Sequence, residues 1–563
     1  MSKIVIVGGV AGGATAAARL RRLDEQAEII VIERTGYVSY ANCGLPYYVG
    51  GVIEDREDLT LQSPESFFSR FNIDVRVSSE VLSIDRENKT VTVFSCDEGR
   101  EYVESYDKLI LSPGAKAMIP DTPGVYSERV LTLRTVEDAL RMRELVETER
   151  PERAVVVGGG FIGLETAENL MEAGVKVTLL QRSDQVLPPL DWDMASEIHA
   201  HLREKGLDLR FKHAIESYEE TEDGIIVHVK DREPIKCGFV VLAVGVVPES
   251  DLAKAAGLEL GLKGSIKVDS HMRTSDPDIY AVGDAVEVVN PVTGKPALVA
   301  LAGPANRQAR IAANNICGIG SEYKGTQGST VIKVFDMTAA VTGLNEKAAK
   351  AAGVKYAKVQ GYSASHAGYY PGGRNMSIKT LYDPDTGRIL GAQIVGFDGV
   401  DKRIDVMAVA VRKGLTAADL ADFELAYAPP YSSAKDPVNM AGFMIENVMG
   451  GVVKQHFPED VPNIPRDGSA VILDVRTERE FAGGCIDGAV NIPLHELRAR
   501  LGELDKSKKL YVNCFSGMRS YIACRILSGS GFDCSNLAGG WRFYQLLTKE
   551  KADNEHYPCG ERK

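Results

Sequence analysis

Cys43 lies in the stretch Ser39-Tyr40-Ala41-Asn42-Cys43-Gly44-Leu45-Pro46-Tyr47, and the next cysteine along the chain is Cys96. A thiol with no neighbouring partner cycles only by bonding to something outside the chain. That partner is another sulfur, as a mixed disulfide, or an oxygen, as a sulfenic acid. A second thiol opens the run Cys514-Phe-Ser-Gly-Met-Arg519, between an apolar strand pattern (LYVNC) and a helical pattern over 519–528. A strand-to-helix turn, the helix dipole and Arg519 are expected to favour the thiolate there. The nine cysteines, at 43, 96, 237, 317, 485, 514, 524, 534 and 559, are otherwise thinly spread. None groups with another Cys or His at zinc spacing, so no metal site is expected.

A redox thiol needs an electron source, and the chain carries one nucleotide-binding plan twice. Residues 3–33 and 153–182 each read strand, glycine turn, helix, strand, which is the βαβ dinucleotide unit. In the first, Gly8, Val10, Ala11, Gly12 and Gly13 form a turn where backbone N–H groups can approach a pyrophosphate. Val10 stands where the G-x-G-x-x-G pattern has its middle glycine. Glu33 follows Gly13 by 20 residues, at the end of the next strand, where a carboxylate can bind ribose hydroxyls; Arg34 is beside it. In the second unit Gly158, Gly160 and Gly163 fit the pattern fully, with Phe161 and Ile162 inside it and Glu165 after it. Its second strand ends in Gln181-Arg182. An acid at 181 would favour NADH and an arginine cluster NADPH, so this pair leans to NADH and admits both.

Several domains are needed, because 563 residues exceed what one core holds. The expected fold class is α/β, with two Rossmann-like dinucleotide-binding domains, an α+β dimerisation domain and a C-terminal α/β domain. The boundaries read as 1–112 with 266–324 for the first dinucleotide domain and 113–265 for the second. An antiparallel α+β region follows over 325–447, a Gly- and Pro-containing linker over 448–460, and a smaller α/β module over 461–553. Hydrophobic content of 44% and charged content of 25% are those of an ordinary soluble protein. A formal net charge of -13 argues against nucleic-acid binding and against anionic lipid. No segment has the length of a membrane span. The odd, scattered cysteine count reads as reduced thiols in a cytoplasmic protein.

The segment Thr274–Ala285 (TSDPDIYAVGDA) resembles the second FAD motif of the pyridine nucleotide–disulfide oxidoreductases. That resemblance places FAD at the first site, with Asp284 at the flavin ribitol and Gly283 allowing close approach. Asn42, Ser112 and Gly245 join the cofactor-contact candidates, and Phe161 matches an aromatic gate over the flavin. Many members use a C-x-x-x-x-C pair where this chain has Cys43 alone. The motif around Cys43, through Ser39, Asn42, Leu45, Pro46 and Tyr47, resembles the single-cysteine branch that reduces coenzyme A disulfide, over roughly the first 445 residues. The resemblance implies a homodimer in which a tyrosine pair from the partner subunit reaches the thiol and coenzyme A. The matching stretches, 366–371 and 427–431, assign those roles to Tyr370 and Tyr431, with Tyr369 one register away. Thr15, Arg19 and Arg22 share one helix face at i, i+4 and i+7 and could hold a phosphate-rich ligand; a solvated helix surface is the plain alternative. Asn306, Arg307 and Asn439 are further substrate-contact candidates, as are Ser39 and Asn42.

Residues 461–553 resemble a single rhodanese domain through LDVRTEREF (473–481), GAVNIP (488–493) and the loop 514–519. Six residues from Cys514 to Arg519 suit a loop around one sulfur. Cys485 stands where a histidine is common and reads as a packing residue or a second sulfur acceptor. The reading is an FAD enzyme that reduces CoA persulfide, polysulfide or CoA disulfide with NAD(P)H, through a Cys43–S–S–CoA mixed disulfide. Two alternatives remain: an NADH oxidase or peroxidase with a sulfenic acid at Cys43, and a non-catalytic sulfur carrier or sensor. Peroxide enzymes of this branch carry a histidine at the position of Ala11, which counts against the first.

Overall fold

The computed structural model describes residues 2–556. The chain divides into two compact units, Met1–Arg182 with Lys212–Thr326, and Ser183–Phe211 with Gln327–Lys563.

In the first unit a parallel sheet runs in the order Ile279–Ala281, Lys108–Leu111, Lys3–Val7, Glu28–Ile32, Asp74–Arg76. Its inner strands are apolar on both faces, as a sheet covered on both sides requires. Ile4 and Ile6 pack with Ala16, Ala17 and Leu20 of the Ala11–Leu23 helix, while Val5 faces Leu109, Leu111 and Val91 on the other side. The alanines of that helix and Ala309, Ala312 and Ala313 of the Ala302–Ile316 helix share one core, and small side chains let these helices approach closely. A second parallel set places Lys176–Gln181, Arg153–Val157, Phe239–Leu242 and Val130–Leu131 side by side. Its crossover is the Phe161–Glu172 helix. Both dinucleotide plans expected from the sequence therefore form. Two antiparallel three-stranded sheets, Ser79–Asp85 to Arg100–Ser105 and Ile215–Thr221 to Ile235–Cys237, also belong to this unit.

In the second unit an antiparallel sheet runs Thr330–Val334, Met337–Gly343, Ile389–Gly396, Asn375–Tyr382, Ala357–Ala364. The Val400–Lys413 and Pro437–Met449 helices belong to the same unit. The C-terminal module is a parallel sheet ordered Gln455–His456, Cys534–Leu537, Lys509–Asn513, Ala470–Asp474, Val490–Asn491. The stretch expected to be a linker, 448–460, is thus partly structured: Gln455 and His456 form an edge strand of that sheet. His456 is buried, bonds Ser535 at 3.0 Å, and is pushed down to about 4 by that burial. A ring kept neutral and bonded inside a sheet does not belong to a loose tether.

Ion pairs join the C-terminal module to the rest of its unit. Arg542, on the Gly540–His556 helix, bonds Glu197 at 2.8 and 3.2 Å and Ser377 at 2.7 Å, and lies 3.9 Å from the Tyr362 ring centre. Glu550 accepts from Arg203 and bonds His199 Nδ1 at 3.1 Å. The His199 ring accepts from the Val186 N–H at Nε2, so Nδ1 carries the proton; burial holds the ring below its ordinary value. Nearby, the fully buried Lys379 ammonium contacts Asp193 at 2.8 Å, Asp191 at 3.0 Å and Glu346 at 2.6 Å. Burial opposes its charge, but the three carboxylates outweigh that and raise it. Removing one member of a buried pair strands the others' charge and costs about 3–5 kcal/mol. Lys379→Met is therefore expected to lower stability by about 3–5 kcal/mol, read as a fall in thermal midpoint of the purified protein.

Candidate active sites

The first glycine turn is built on close backbone approach. A Cβ on Gly13 would lie 1.8 Å from Gly8 O, and one on Gly8, which has φ +94°, would lie 2.2 Å from Ser112 O. Gly12 faces Ser112 Oγ, 2.5 Å from where its Cβ would be. Val10 caps the Ala11–Leu23 helix without a side-chain bond, so the first-turn N–H groups remain available to an anion. Glu33 is buried and oriented by three donors: Gly9 N at 2.8 Å, Thr35 N at 3.0 Å and Thr35 Oγ1 at 2.9 Å. Gly283, at φ +86°, donates to Gln308 Oε1 at 2.7 Å and precedes Asp284. Burial pushes the Asp284 carboxyl up while Arg134, 3.8 Å away, pulls it down. Arg134 Nη2 donates to Ala115 O at 2.9 Å, but its buried Nε has no hydrogen-bond partner. An uncapped helix start, an oriented acid and the unpaired Nε of Arg134 beside Asp284 fit FAD. Arg34 is exposed, 3.6 Å from Glu249.

The second turn repeats the construction. Gly158 has φ +110°, and a Cβ on Gly163 would lie 1.9 Å from Gly158 O. Gly160 caps the Phe161–Glu172 helix with no side-chain bond, and a Cβ there would meet nothing within 4 Å. That open space is where a second dinucleotide can approach backbone. Gln181 Oε1 accepts from Gly159 N at 3.1 Å, the counterpart of Glu33 accepting from Gly9 N. A neutral amide thus fills the ribose-acid position, with Arg182 exposed next to it. Phe161 and Ile162 are partly buried in the first helical turn, and Gly245, at φ +124°, also faces open space.

Cys43 hangs from the first turn. Ser39, at φ +49°, donates its N–H to Gly9 O at 2.8 Å, and Ala41 N bonds Leu59 O at 2.7 Å. A 3-10 turn over Asn42–Gly44 then delivers Cys43, and the Leu45–Val49 helix follows, with Pro46 at its start. Cys43 is exposed as a residue, yet enough protein surrounds its sulfur that desolvation pushes the thiol up. Glu165 and Asp284 push the same way, and Arg134 alone pulls it down. Glu165 is itself raised by burial and accepts from the Tyr47 hydroxyl at 3.2 Å. Arg134, Gln308 and Tyr47 were not among the sequence candidates. Arg134 and Gln308 lie far from any motif, and Tyr47 was visible only as part of the Cys43 signature.

Most of the remaining substrate candidates converge. Thr15 Oγ1 donates to Asn306 Oδ1 at 2.9 Å, and Arg19 Nε to Asn314 Oδ1 at 3.0 Å. Arg22 and Arg307 are exposed on the same two helices. Asn439 does not join them. It is buried in the Pro437–Met449 helix, donates to Leu420 O and Phe423 O at 2.9 Å each, and accepts from Asp436 N at 3.1 Å. Its amide is spent on folding, which corrects its assignment as a substrate contact. The tyrosine assignment also shifts. The hydroxyls the structure brings together, 2.6 Å apart and exposed, belong to Tyr369 and Tyr427. Tyr370 instead sets its ring edge-on to His366, and Tyr431 contributes a backbone carbonyl to Arg403.

In the C-terminal module Cys514 follows the Lys509–Asn513 strand and precedes the Met518–Gly529 helix. Gly517 N–H and the Ser520 hydroxyl both point at its sulfur, at 3.1 and 3.2 Å. Gly517 has φ +102°, a conformation glycine adopts without strain. The Arg519 guanidinium is held by both oxygens of Glu480, at 2.6 and 2.8 Å, and also interacts electrostatically with Cys514. That bond, with the Thr477 cap, holds the Glu480 carboxyl down at about 2. Cys485 is partly buried.

Residues 2–309 match the family described as pyridine nucleotide-disulphide oxidoreductase, residues 329–437 its dimerisation domain, and residues 457–546 the rhodanese-like domain. Coenzyme A disulfide reductase of Staphylococcus aureus is 38% identical over 444 residues, 79% of this chain and 99% of that protein. Among solved structures, reduced CoADR-RHD of Bacillus anthracis has a TM-score of 0.95 at 48% identity, covering 98% of both chains. A NAD-dependent persulfide reductase from A. fulgidus has a TM-score of 0.90 at 39% identity, covering 96% of this chain and 99% of that one. A water-forming NADH oxidase from Lactobacillus brevis is further away, with a TM-score of 0.76 at 29% identity over 80% of this chain and 100% of that one. With more than half of its length in the family match, the chain belongs to the pyridine nucleotide-disulphide oxidoreductases, as a flavin-dependent oxidoreductase with the family's dimerisation domain and a rhodanese-like domain at its C-terminal side.

Proposed function

We propose that this enzyme reduces coenzyme A-linked sulfur, as CoA persulfide, polysulfide or CoA disulfide, with NAD(P)H. The observation that carries the reading is Cys43 itself: a lone thiol hung from the first dinucleotide turn through Ser39. The relatives named for CoA disulfide and persulfide reduction support it, as does the rhodanese-like domain. The Cys43 thiolate attacks the CoA-bound sulfur of CoA persulfide, forming Cys43–S–S–CoA and releasing hydrosulfide. With CoA disulfide the same bond forms and one CoA thiolate leaves. Two electrons and a proton then return Cys43 and release CoA. FAD, when bound, supplies the two-electron relay between NAD(P)H and sulfur. Desolvation, Glu165 and Asp284 all oppose a Cys43 thiolate, so its stabilisation falls to the bound groups and to Arg134. In a homodimer, supported by the dimerisation-domain match, the exposed Tyr369–Tyr427 pair of one subunit serves Cys43 of the other, protonating the departing thiolate. Thr15, Arg19, Arg22, Asn306 and Arg307 form the phosphate-facing side of the CoA site. The C-terminal site carries sulfane sulfur on Cys514.

NADH oxidation is measured with CoA disulfide, CoA persulfide, polysulfide and hydrogen peroxide. Cys43→Ser is expected to lose turnover of every sulfur substrate while keeping its flavin absorbance; retained turnover overturns the reading. Peroxide turnover matching that with CoA persulfide would favour an oxidase or peroxidase instead. For the tyrosines, Tyr369→Phe and Tyr427→Phe are each expected to lower kcat with CoA persulfide by about 100-fold, the low end of general acid catalysis, with little change in KM. Tyr370→Phe and Tyr431→Phe are expected to leave kcat within about twofold, since their hydroxyls lie outside the paired contact.

A further inference from the structure

We propose that Glu480 selects the sulfur donor of the C-terminal site, admitting persulfides and polysulfides and turning away donors that release a sulfur oxyanion, such as thiosulfate. The inference rests on the reading that Cys514 carries sulfane sulfur and adds which donors can load it. Two donors of the loop hold the Cys514 sulfur itself. Gly517 N–H and the Ser520 hydroxyl converge on Cys514 Sγ at 3.1 and 3.2 Å. Loading is a displacement: the Cys514 thiolate attacks the donor's terminal sulfane sulfur, a new S–S bond forms, and the donor's S–S bond breaks. The electron pair leaves with the remainder of the donor, so no further oxidant or reductant takes part.

The remainder is what distinguishes donors. A persulfide leaves a thiolate and a polysulfide leaves a shorter polysulfide, each with its charge on sulfur. Thiosulfate leaves sulfite, a dianion on three oxygens, which needs an uncommitted cation or several donors at the mouth of the loop. The loop's cation is Arg519, and both oxygens of Glu480 hold it at 2.6 and 2.8 Å. The two side chains are about one-third exposed, at 34% and 35%, so they present a closed, net-neutral pair rather than a cation. Of the two arginines in the framing motif 473–481, Arg476 is buried and bound bidentately to Asp474 at 2.7 to 3.0 Å, and Arg479 is exposed. The loop's outward side chains are apolar: Phe515 is 44% exposed and Met518 52%. An oxyanion arriving there would lose water while the guanidiniums of Arg519 and Arg476 stay committed to carboxylates, which is unfavourable. A sulfur chain with a carbon or sulfur tail would not.

The full-length holoenzyme is incubated with thiosulfate or with polysulfide at equal concentration, and the 32 Da gain on the Cys514 peptide is followed by mass spectrometry. Wild type is expected to load from polysulfide at least about 10-fold faster than from thiosulfate, the scale of one hydrogen bond to a charged group. Glu480→Gln retains the amide oxygen for the Thr477 cap but frees the guanidinium. It is expected to speed thiosulfate loading about 10-fold, with the polysulfide rate as internal control for folding. Glu480→Gln with Arg519→Gln is expected to return thiosulfate loading to the wild-type rate. Equal loading of wild type from both donors, or an unchanged thiosulfate-to-polysulfide ratio in Glu480→Gln, overturns donor selection while leaving the carrier role intact. Loading of Cys514 from neither donor overturns the carrier role and this inference with it.

Discussion

In both dinucleotide turns the backbone comes so close to itself that a single carbon atom would not fit. Gly13 lies against Gly8 O, and Gly163 against Gly158 O, with less than 2 Å between that oxygen and where a Cβ would stand. Each contact seats a helix directly on the end of a strand and aims its unpaired N–H groups outward. The rest of the redox site is referenced to the first of these contacts. Glu33 is oriented by Gly9 N, and Ser39 bonds Gly9 O, so both the ribose acid and the chain leading to Cys43 are pinned to the same dipeptide. A side chain at Gly13 would therefore displace the pyrophosphate turn, the acid and the thiol together.

The two sulfur sites treat charge differently. Around Cys43 two carboxyl groups, Glu165 and Asp284, oppose the thiolate and one arginine, Arg134, favours it. Together with desolvation, the two carboxyl groups push the thiol up. Around Cys514 the direct contacts are neutral donors, a backbone N–H and a hydroxyl, while the nearby Arg519 is paired with Glu480. The first site is bordered by ionisable groups, and the second holds its sulfur with neutral donors.

The parts of this machine that were legible in the sequence are those whose meaning is local. Glycine spacing, the acid at the end of a strand, Gly283-Asp284 and the single cysteine each declare themselves within a few residues, because a tight turn or a helix start is a short-range demand. The parts that were not legible come from pairings across the chain. Nothing near Glu480 or Arg519 says that they will neutralise each other 39 residues apart. The tyrosines are a milder case: adjacent tyrosines differ only in which direction the chain turns them, and the structure bonds Tyr369 to Tyr427. Asn439 was misread because a polar residue in a helix looks available until its neighbours' carbonyls are seen to consume it. The segment 448–460 has linker composition, yet two of its residues complete a sheet edge.

The Gly540–His556 helix holds the sulfur loop by its backbone: Trp541 N donates to Cys514 O at 2.7 Å and Arg542 N to Phe515 O at 3.0 Å. The same helix is clasped through Arg542 and Glu550 to Glu197, His199 and Arg203. Delivery by a swinging arm, in which the loop travels with its cargo, would have to break every one of these bonds and expose the buried His199 and Glu550 to water. Delivery by a small thiol that collects the sulfur and diffuses away breaks none. The anchoring of one loop thus argues for a mobile courier and a stationary dock.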